Sequence, residues 1–253
     1  MIYDLQKADI WKRISAFIFD KILVFILAVG VAFLLSFAFN FNQYDEQYSA
    51  RQEYFSEQYS TNLNMTEEEY NKLSETDQKR FDDAVTAISK DSEAVYALSM
   101  MFNFTLIITV FSILAAYLAL EFFVPLAFGN GQTLGKKIFG IAVMRIDGVK
   151  VSPMFLLIRT LLGKYTIETM VPVLIIIGIG FGLVNIVGVV VMAIIVITNI
   201  AMMVASKTNS PIHDMLANTV AVDMASQLIF DTPEDMLAYK QKIHAEMAEK
   251  AEY

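Results

Sequence analysis

Residues 12–39 read KRISAFIFDKILVFILAVGVAFLLSFAF, an apolar run interrupted by the adjacent charges of Asp20 and Lys21. A helix needs about 20 such residues to cross the hydrocarbon core of a bilayer, so this run is long enough to span it. Arg13 and Asp20 are seven residues apart, or about two helical turns, and therefore share one face of the helix. A charge at the centre of a spanning helix costs about 2.5–3.5 kcal/mol, so we expect Asp20 to face other helices or water.

The composition is typical of a membrane protein, because 56% of the 253 residues are hydrophobic and 18% are charged. The chain has no cysteine and two histidines, so we expect no zinc site, and no other metal or cofactor is predicted. The sequence contains no protease, kinase, serine-hydrolase or nucleotide-binding motif, so we do not expect an enzyme. The net charge of −8 disfavours nucleic-acid binding.

Charge is distributed unevenly along the chain and predicts its orientation in the membrane. Residues 40–93 hold 13 acidic and 5 basic side chains, whereas residues 129–164 hold 6 basic and 1 acidic. Basic segments stay on the cytoplasmic side. We therefore predict a multi-pass plasma-membrane protein with a cytoplasmic N-terminus, in which residues 1–39 form the N-terminus and first span, residues 40–93 lie outside, and residues 94–128 return as the second span.

The outer segment is predicted to form a helical hairpin. Its first part has aromatic residues at helical spacing among charges, which indicates that the first helix continues beyond the membrane: Tyr44, Tyr48, Phe55 and Tyr59. Thr66 and Glu69 have the spacing of a capping box, which predicts the start of a second polar helix. A ligand-binding role for this acidic hairpin competes with simple helix packing that leaves a solvated acidic face.

The basic segment 129–164 is predicted to be a cytoplasmic loop with an interfacial helix. Lys136 and Lys137 are expected to contact lipid headgroups. The alternating apolar residues around Asp147-Gly148 predict a short β-hairpin. Ser152-Pro153 predicts the start of a helix that lies at the membrane interface or re-enters the membrane.

Two charged residues near the inner membrane surface have open roles. Arg159 either reaches lipid phosphates or pairs with an acidic residue inside the protein. Glu121, near the inner end of the second span, either joins Asp20 in one polar cluster or reaches headgroup water.

Residues 165–205 are predicted to form a transmembrane hairpin. The 35 residues 171–205 are almost all apolar, and at about 1.5 Å per residue they are too long for one upright helix in a core of about 30 Å. A turn around Asn185 gives two spans and places Lys164 and Lys207 both on the cytoplasmic side. One long tilted helix is the alternative, which gives three spans and an outer C-terminus.

The last segment, residues 206–253, carries His213-Asp214 and is predicted to end in a helix that begins at Thr232-Pro233. The apolar edge of this amphipathic helix is expected to pack on a neighbouring domain or to lie at the membrane surface: Met236, Tyr239, Ile243 and Met247. The predicted fold is thus an all-α membrane protein. It consists of a small transmembrane helix bundle with four spans, or alternatively three, an extracytoplasmic helical hairpin and a short cytoplasmic β-hairpin.

Three separated blocks of the sequence carry a family resemblance. They are WKRISAFIFDKI (11–22), GQTLGKKIFGIAVMRIDGVKVSP (131–153) followed by Arg159, and PIHDMLANTVAV (211–222). Together they resemble the RDD family of bacterial membrane proteins, which is named for one arginine and two aspartates. The resemblance covers residues 8–39 and 94–223, and it assigns the three positions as follows: Arg13, Asp20 and Asp214. One departure is Asn218, because the family usually has Gly at that position.

The resemblance implies a transport function, since some members of the family exchange sodium or other monovalent cations for protons. The chain is accordingly expected to be a cation/proton antiporter, or another ion-coupled transporter, for Na⁺, K⁺ or Li⁺, and to work as a homo-oligomer. In this hypothesis Asp20 alternates between a proton and a cation and Arg13 tunes its pKa. Asp214 gates the cytoplasmic mouth and His213 relays protons. Glu121 and Arg159 are supporting residues.

The alternative is a non-transporting membrane protein that binds protein partners or lipids. Arg13, Asp20 and Asp214 then form a structural lock, because buried ion pairs can specify an arrangement of helices. The outer hairpin and the C-terminal helix are the docking surfaces in this hypothesis.

Overall fold

A computed structural model of the chain describes residues 5–206 and 208–251, so Lys207, predicted to be cytoplasmic, lies outside the described residues. The described helices are α1 (Ile10–Ala38), α2 (Phe41–Gln58), α3 (Glu67–Tyr70), α4 (Glu75–Ile88), α5 (Ser92–Phe128), α6 (Leu134–Ile138), α7 (Pro153–Gly180), α8 (Ile186–Ala205), α9 (Ile212–Leu216) and α10 (Pro233–Ala251). The strands are β1 (Ile141–Arg145) and β2 (Thr219–Asp223). The predicted fold class is confirmed. The chain is mostly helical, and four helices are long and apolar enough to cross a membrane: α1, α5, α7 and α8.

The buried face of α1 follows from helical periodicity. Ala16, Asp20, Val24 and Ala28 are its buried residues, each four positions after the last, as expected for one stripe of a helix with 3.6 residues per turn. Most of the large apolar residues on its other faces are exposed, as suits contact with lipid. We expected Asp20 to face other helices or water, and it is buried against the protein, 5% exposed.

The first helix ends at Ala38 instead of continuing. Asn40 adopts a left-handed backbone conformation with φ of 51°, which asparagine tolerates better than most residues and which interrupts a right-handed helix. The prediction of one continuous helix through this region is therefore wrong. Helix α2 begins separately at Phe41.

The chain falls into two compact units, and one of them is Gly30–Ser112. In this unit the ring of Phe39 stacks on that of Phe104 with centroids 5.2 Å apart, and the ring of Tyr44 lies 6.2 Å from that of Tyr96. The contact of Phe39 is with Phe104, and that of Tyr44, five residues later, is with the earlier residue Tyr96. The start of α2 therefore runs antiparallel to the first turns of α5. Helix α2 also packs against α4, as expected for the two helices of the predicted hairpin, and Phe55 of α2 is buried with Ile88 of α4.

The capping box at the start of the second polar helix is present but opens a short helix. The Thr66 side chain accepts the backbone N–H of Glu69, and the Glu69 carboxylate accepts the N–H of Thr66 at 2.7 Å. Helix α3 nevertheless ends at Tyr70, and α4 needs a new cap, in which the Ser74 hydroxyl accepts the Asp77 N–H at 3.3 Å. The predicted second helix is therefore two helices.

The other unit, Met1–Val29 with Ile113–Tyr253, contains a small sheet. Strands β1 and β2 pair antiparallel along their whole length, from Ile141 opposite Asp223 to Arg145 opposite Thr219. The predicted turn at Asp147-Gly148 forms, and the Gly148 N–H donates to the carbonyl of Arg145 at 2.9 Å. The residues after that turn add only one bridge to β1, so the full-length partner of β1 is a strand remote in sequence.

The segments that precede α1 and α10 join this sheet through backbone hydrogen bonds. The N–H of Ala8 donates to the carbonyl of Ala221 at 3.3 Å, which lays the segment before α1 along β2. Lys150 donates its N–H to the carbonyl of Phe230 at 2.8 Å, which joins the segment before α10 to the residues after β1. One layer therefore ties together four stretches of chain that flank the spanning helices.

Helix α7 unites two elements that the sequence analysis treated separately. The predicted interfacial helix from Pro153 and the third span predicted for residues 165–184 are one continuous helix, Pro153–Gly180, so the predicted boundary at residue 165 is wrong. Neither Gly163 nor Pro172 breaks the helix. It is π-helical over Ile158–Met170, and Pro172 lies in the first turn of the α-helical part that follows.

The predicted turn between the last two spans is confirmed. The Asn185 side chain caps α8 by accepting the N–H of Val187 at 3.0 Å. This break excludes the single long helix and hence the three-span alternative.

The predicted C-terminal helix is present, and its start packs on the same unit. The Thr232 hydroxyl accepts the Asp235 N–H at 3.1 Å. Met236 is buried with Val149 and Phe230, whereas Met247 near the other end is exposed. The first half of α10 therefore docks on the sheet layer.

Candidate functional site

A cavity of about 390 Å³ lies inside the unit that contains the sheet. Its wall carries an unusual number of ionisable groups for a protein with apolar spans. The acids are Asp20, Glu121, Glu168 and Asp214, the bases are Arg13, Lys21, Lys136, Arg159 and Lys164, and His213 completes the set. Seven of the eight residues singled out from the sequence therefore line one cavity, and Lys137 is the exception.

The carboxylate of Asp20 is held by the N-terminal end of α6. Its Oδ1 accepts the N–H of Gly135 at 2.7 Å, and its Oδ2 accepts the hydroxyl of Thr133, the residue that caps α6. Lys136 Nζ lies 3.7 Å from Oδ2. A Cβ on Gly135 would lie 2.5 Å from the carbonyl oxygen of Ala16, so only glycine lets α6 approach α1 so closely.

Lys136 faces the cavity and not the lipid headgroups, so the prediction for it is wrong. The residue is 9% exposed, because α6 turns this side chain inward toward Asp20. Burial, together with the positive charges of Lys164 and Arg159, lowers the pKa of Lys136 to about 7. Lys137 is exposed, and its Nζ lies 3.7 Å from the ring centroid of Phe128; its contact with headgroups stays a prediction.

Arg159 pairs with Asp214, which decides between the two roles left open for this arginine. Arg159 Nε lies 2.7 Å from Asp214 Oδ1, and the two side chains are 1% and 2% exposed. The Thr219 hydroxyl donates to the same oxygen at 2.8 Å. Burial alone would raise the pKa of Asp214, but the charges of Arg159 and His213 and the hydrogen bonds from Arg159 and Thr219 together hold that pKa well below its usual range.

Glu121 lies in the protein interior and not at headgroup water. Its carboxylate contacts Lys164 Nζ directly, and its backbone carbonyl accepts the hydroxyl of Thr160 at 2.8 Å. Both partners belong to the π-helical part of α7, and Glu121 itself lies in a π-helical segment of α5, Leu118–Phe123. Such segments re-aim side chains and are frequent at functional sites.

His213 binds a carboxylate that sequence reasoning missed. His213 Nδ1 lies 2.8 Å from Glu168 Oε1, and its Nε2 lies 3.7 Å from Asp214 Oδ2. Burial lowers the pKa of His213 despite these two acids, so the imidazole is neutral at pH 7. The signal for Glu168 was available, since a carboxylate inside an apolar span is a candidate functional group.

Arg13, Asp20 and Asp214, the three residues assigned by the resemblance, line the same cavity. They form no ion pair with one another among the described residues. Asp20 is held by the N-terminal end of α6, and Asp214 is held by Arg159. The Arg13 side chain is half-buried and forms no hydrogen bond or ion pair within residues 5–206 and 208–251, although it is electrostatically coupled to Asp214. Sequence spacing predicted that Arg13 and Asp20 share a helix face, and the resemblance added Asp214; the N-terminal end of α6 and Arg159 of α7 supply the partners of the two aspartates.

Four apolar helices and a charged interior define a multi-pass helical membrane protein whose spans contact the lipid bilayer. The RDD family model matches residues 7–218. The chain therefore belongs to the RDD family, as the three sequence blocks indicated. No curated protein and no solved structure matches the chain.

Proposed function

We propose that this protein is a monovalent cation/proton antiporter in which Asp20 and Lys136 form the exchange site. The observation that carries the proposal is the pair itself: a buried carboxylate and a buried amine, 3.7 Å apart, on the wall of a cavity inside a membrane protein. The family membership supports the same function. The proposal contains no enzymatic step.

The exchange follows from charge balance at the pair. With its proton, Lys136 neutralises Asp20. When Lys136 releases the proton, the carboxylate loses its counter-ion, and Na⁺, K⁺ or Li⁺ restores neutrality by binding to Asp20 with the Thr133 hydroxyl as a further oxygen ligand. A pKa of about 7 lets the amine gain and lose its proton near neutral pH.

The remaining acids of the cavity have a different role in this proposal. Glu121 is bound to Lys164, Asp214 to Arg159 and Glu168 to His213. Because each already has its own partner, these pairs fix the geometry of the wall while the Asp20 pair exchanges ions. We expect the sheet layer to be cytoplasmic in the plasma membrane, because its loops are basic, and a homo-oligomer to complete the pathway.

Proteoliposomes with a pH-sensitive dye inside test the proposal. Pulses of Na⁺, K⁺ or Li⁺ outside should change the dye signal for the wild type and should have no effect with Asp20→Asn or Lys136→Met. Lys137→Met is the matched control, because the neighbouring lysine is exposed, and it should transport like the wild type. Full transport by Asp20→Asn contradicts the proposal.

A second candidate function is a non-transporting membrane protein that binds lipids or protein partners. Its support is that Asp20 ties α1 to the N-terminal end of α6, while the Arg159 pair ties α7 to α9, as a structural lock would. This function predicts no dye response for the wild type, together with a lower melting temperature for Asp20→Asn.

A further inference from the structure

The cavity wall has more positive than negative groups. Five bases stand against four acids, with His213 neutral. The acids are all engaged by Lys136, Lys164, Arg159 or His213. Within the described chain, Arg13 and Lys21 are the bases of the wall that form no ion pair within 4.0 Å, whereas Lys136, Arg159 and Lys164 each have one. Both side chains are partly buried, and a partly desolvated positive charge is stabilised by a nearby anion, so one base in excess favours a ligand with one negative charge.

A second, independent observation points to the same kind of ligand. Nη1 of Arg159 is buried and has no hydrogen-bond partner among the residues that the structure describes. Buried donors almost always have partners, and a guanidinium donates to anionic oxygens in particular. Arg159 is 1% exposed and forms part of the cavity wall, so the cavity is the space beside this residue in which an acceptor can bind.

Part of the cavity wall is hydrocarbon. Helix α8 contributes Ile195, Val196 and Ile200, and α1 contributes Phe17. A small inorganic anion would leave these side chains without a partner, whereas an anion with an apolar part would contact them. The volume of about 390 Å³ lies within the range of about 300–1,000 Å³ that is common for small-molecule sites.

We infer that this cavity binds a monocarboxylate with a short hydrocarbon chain. The carboxylate accepts a hydrogen bond from Arg159 Nη1, Arg13 supplies the balancing charge, and the hydrocarbon lies against α8. A single negative charge matches the excess of one base over the acids. This ligand goes beyond the proposed cation exchange at Asp20. It comes either from a soluble organic acid or from a fatty acid of the bilayer.

Equilibrium binding to the full-length protein in nanodiscs of zwitterionic lipid tests the inference. Labelled octanoate should bind at one site per chain, and competition by acetate, laurate and chloride identifies the source. Displacement mainly by laurate indicates a fatty acid, and displacement mainly by acetate indicates a soluble acid; both support a carboxylate site. Displacement by chloride at equal concentration overturns the carboxylate inference, and so does an absence of binding.

Two variants locate the site. Arg13→Gln should weaken octanoate binding about tenfold, which corresponds to about 1.4 kcal/mol, and should leave folding intact because Arg13 holds no partner. Arg145→Gln is the control, because Arg145 binds Asp147 outside the cavity, and it should bind like the wild type. Equal loss in both variants overturns the assignment. Octanoate binding is measured at equilibrium without an ion gradient. Its result therefore does not depend on whether the protein exchanges cations for protons.

Discussion

The ion pairs of the two units differ in how far water reaches them. Arg159 and Asp214 are 1% and 2% exposed, whereas the side chains of Arg51 and Asp91, in the unit Gly30–Ser112, are 27% and 16% exposed. Both pairs have short contacts, 2.7 Å and 2.5 Å. The contact distances alone therefore do not show which pair contributes more to stability. The buried pair has lost its hydration completely, so each partner depends on the other, while water can replace a missing partner in the other unit.

The largest expected effect comes from breaking the buried pair. Asp214→Asn keeps the shape of the side chain and removes its charge, which leaves the Arg159 guanidinium buried without its counter-ion. We expect the free energy of unfolding to fall by about 3–5 kcal/mol, measured by denaturant unfolding in micelles with circular dichroism. Asp231→Asn is the control, because Asp231 is an exposed partner of Lys150, and it should change little.

A double variant sharpens this comparison. Replacing both partners, in Arg159→Met with Asp214→Leu, removes the two charges together and should lose less stability than Asp214→Asn alone. If the single and double variants lose the same amount, the cost arises from packing and not from an uncompensated charge.

An intermediate effect is expected from the pH dependence of Lys136. Its pKa is about 7 in the folded protein against 10.5 ordinarily, so between these values the unfolded chain binds more protons and stability rises with pH. The contribution is at most about 1.4 kcal/mol per pH unit. Unfolding measured from pH 7 to 10 should show a smaller slope for Lys136→Met. The slope of Lys137→Met should equal that of the wild type, and an unchanged slope in Lys136→Met would refute the burial argument.

The smallest expected effect comes from the partly exposed pair of the other unit, Arg51 with Asp91. Arg51→Gln should lower the melting temperature only slightly at low salt. About 0.5 M NaCl should remove the difference from the wild type, because salt screens charges that water reaches. The effect of Asp214→Asn should persist at the same salt concentration. A salt-insensitive loss in Arg51→Gln would mean that the two pairs are equivalent.

Much of the fold could be predicted because its signals are local. The apolar run of α1, the cap at Asn185 and the capping box at Thr66 depend on residues within a few positions of each other, and all three are present. Local signals were misleading at Asn40, where the helical pattern continued although the backbone turned. The start of the third span was also misplaced, because the polar residues of α7 read as an interfacial segment until their buried partners are known.

The sequence by itself determined that the chain spans a membrane and that Asp20 lies inside the protein, because the energy of a residue in lipid depends on its own polarity and its place in a helix. The tertiary structure alone decided which base neutralises which acid. Those pairs join residues far apart in the chain, such as Asp20 with Lys136 and Arg159 with Asp214. Their formation depends on where the N-terminal end of α6 and the sheet layer place each side chain, which no local pattern encodes.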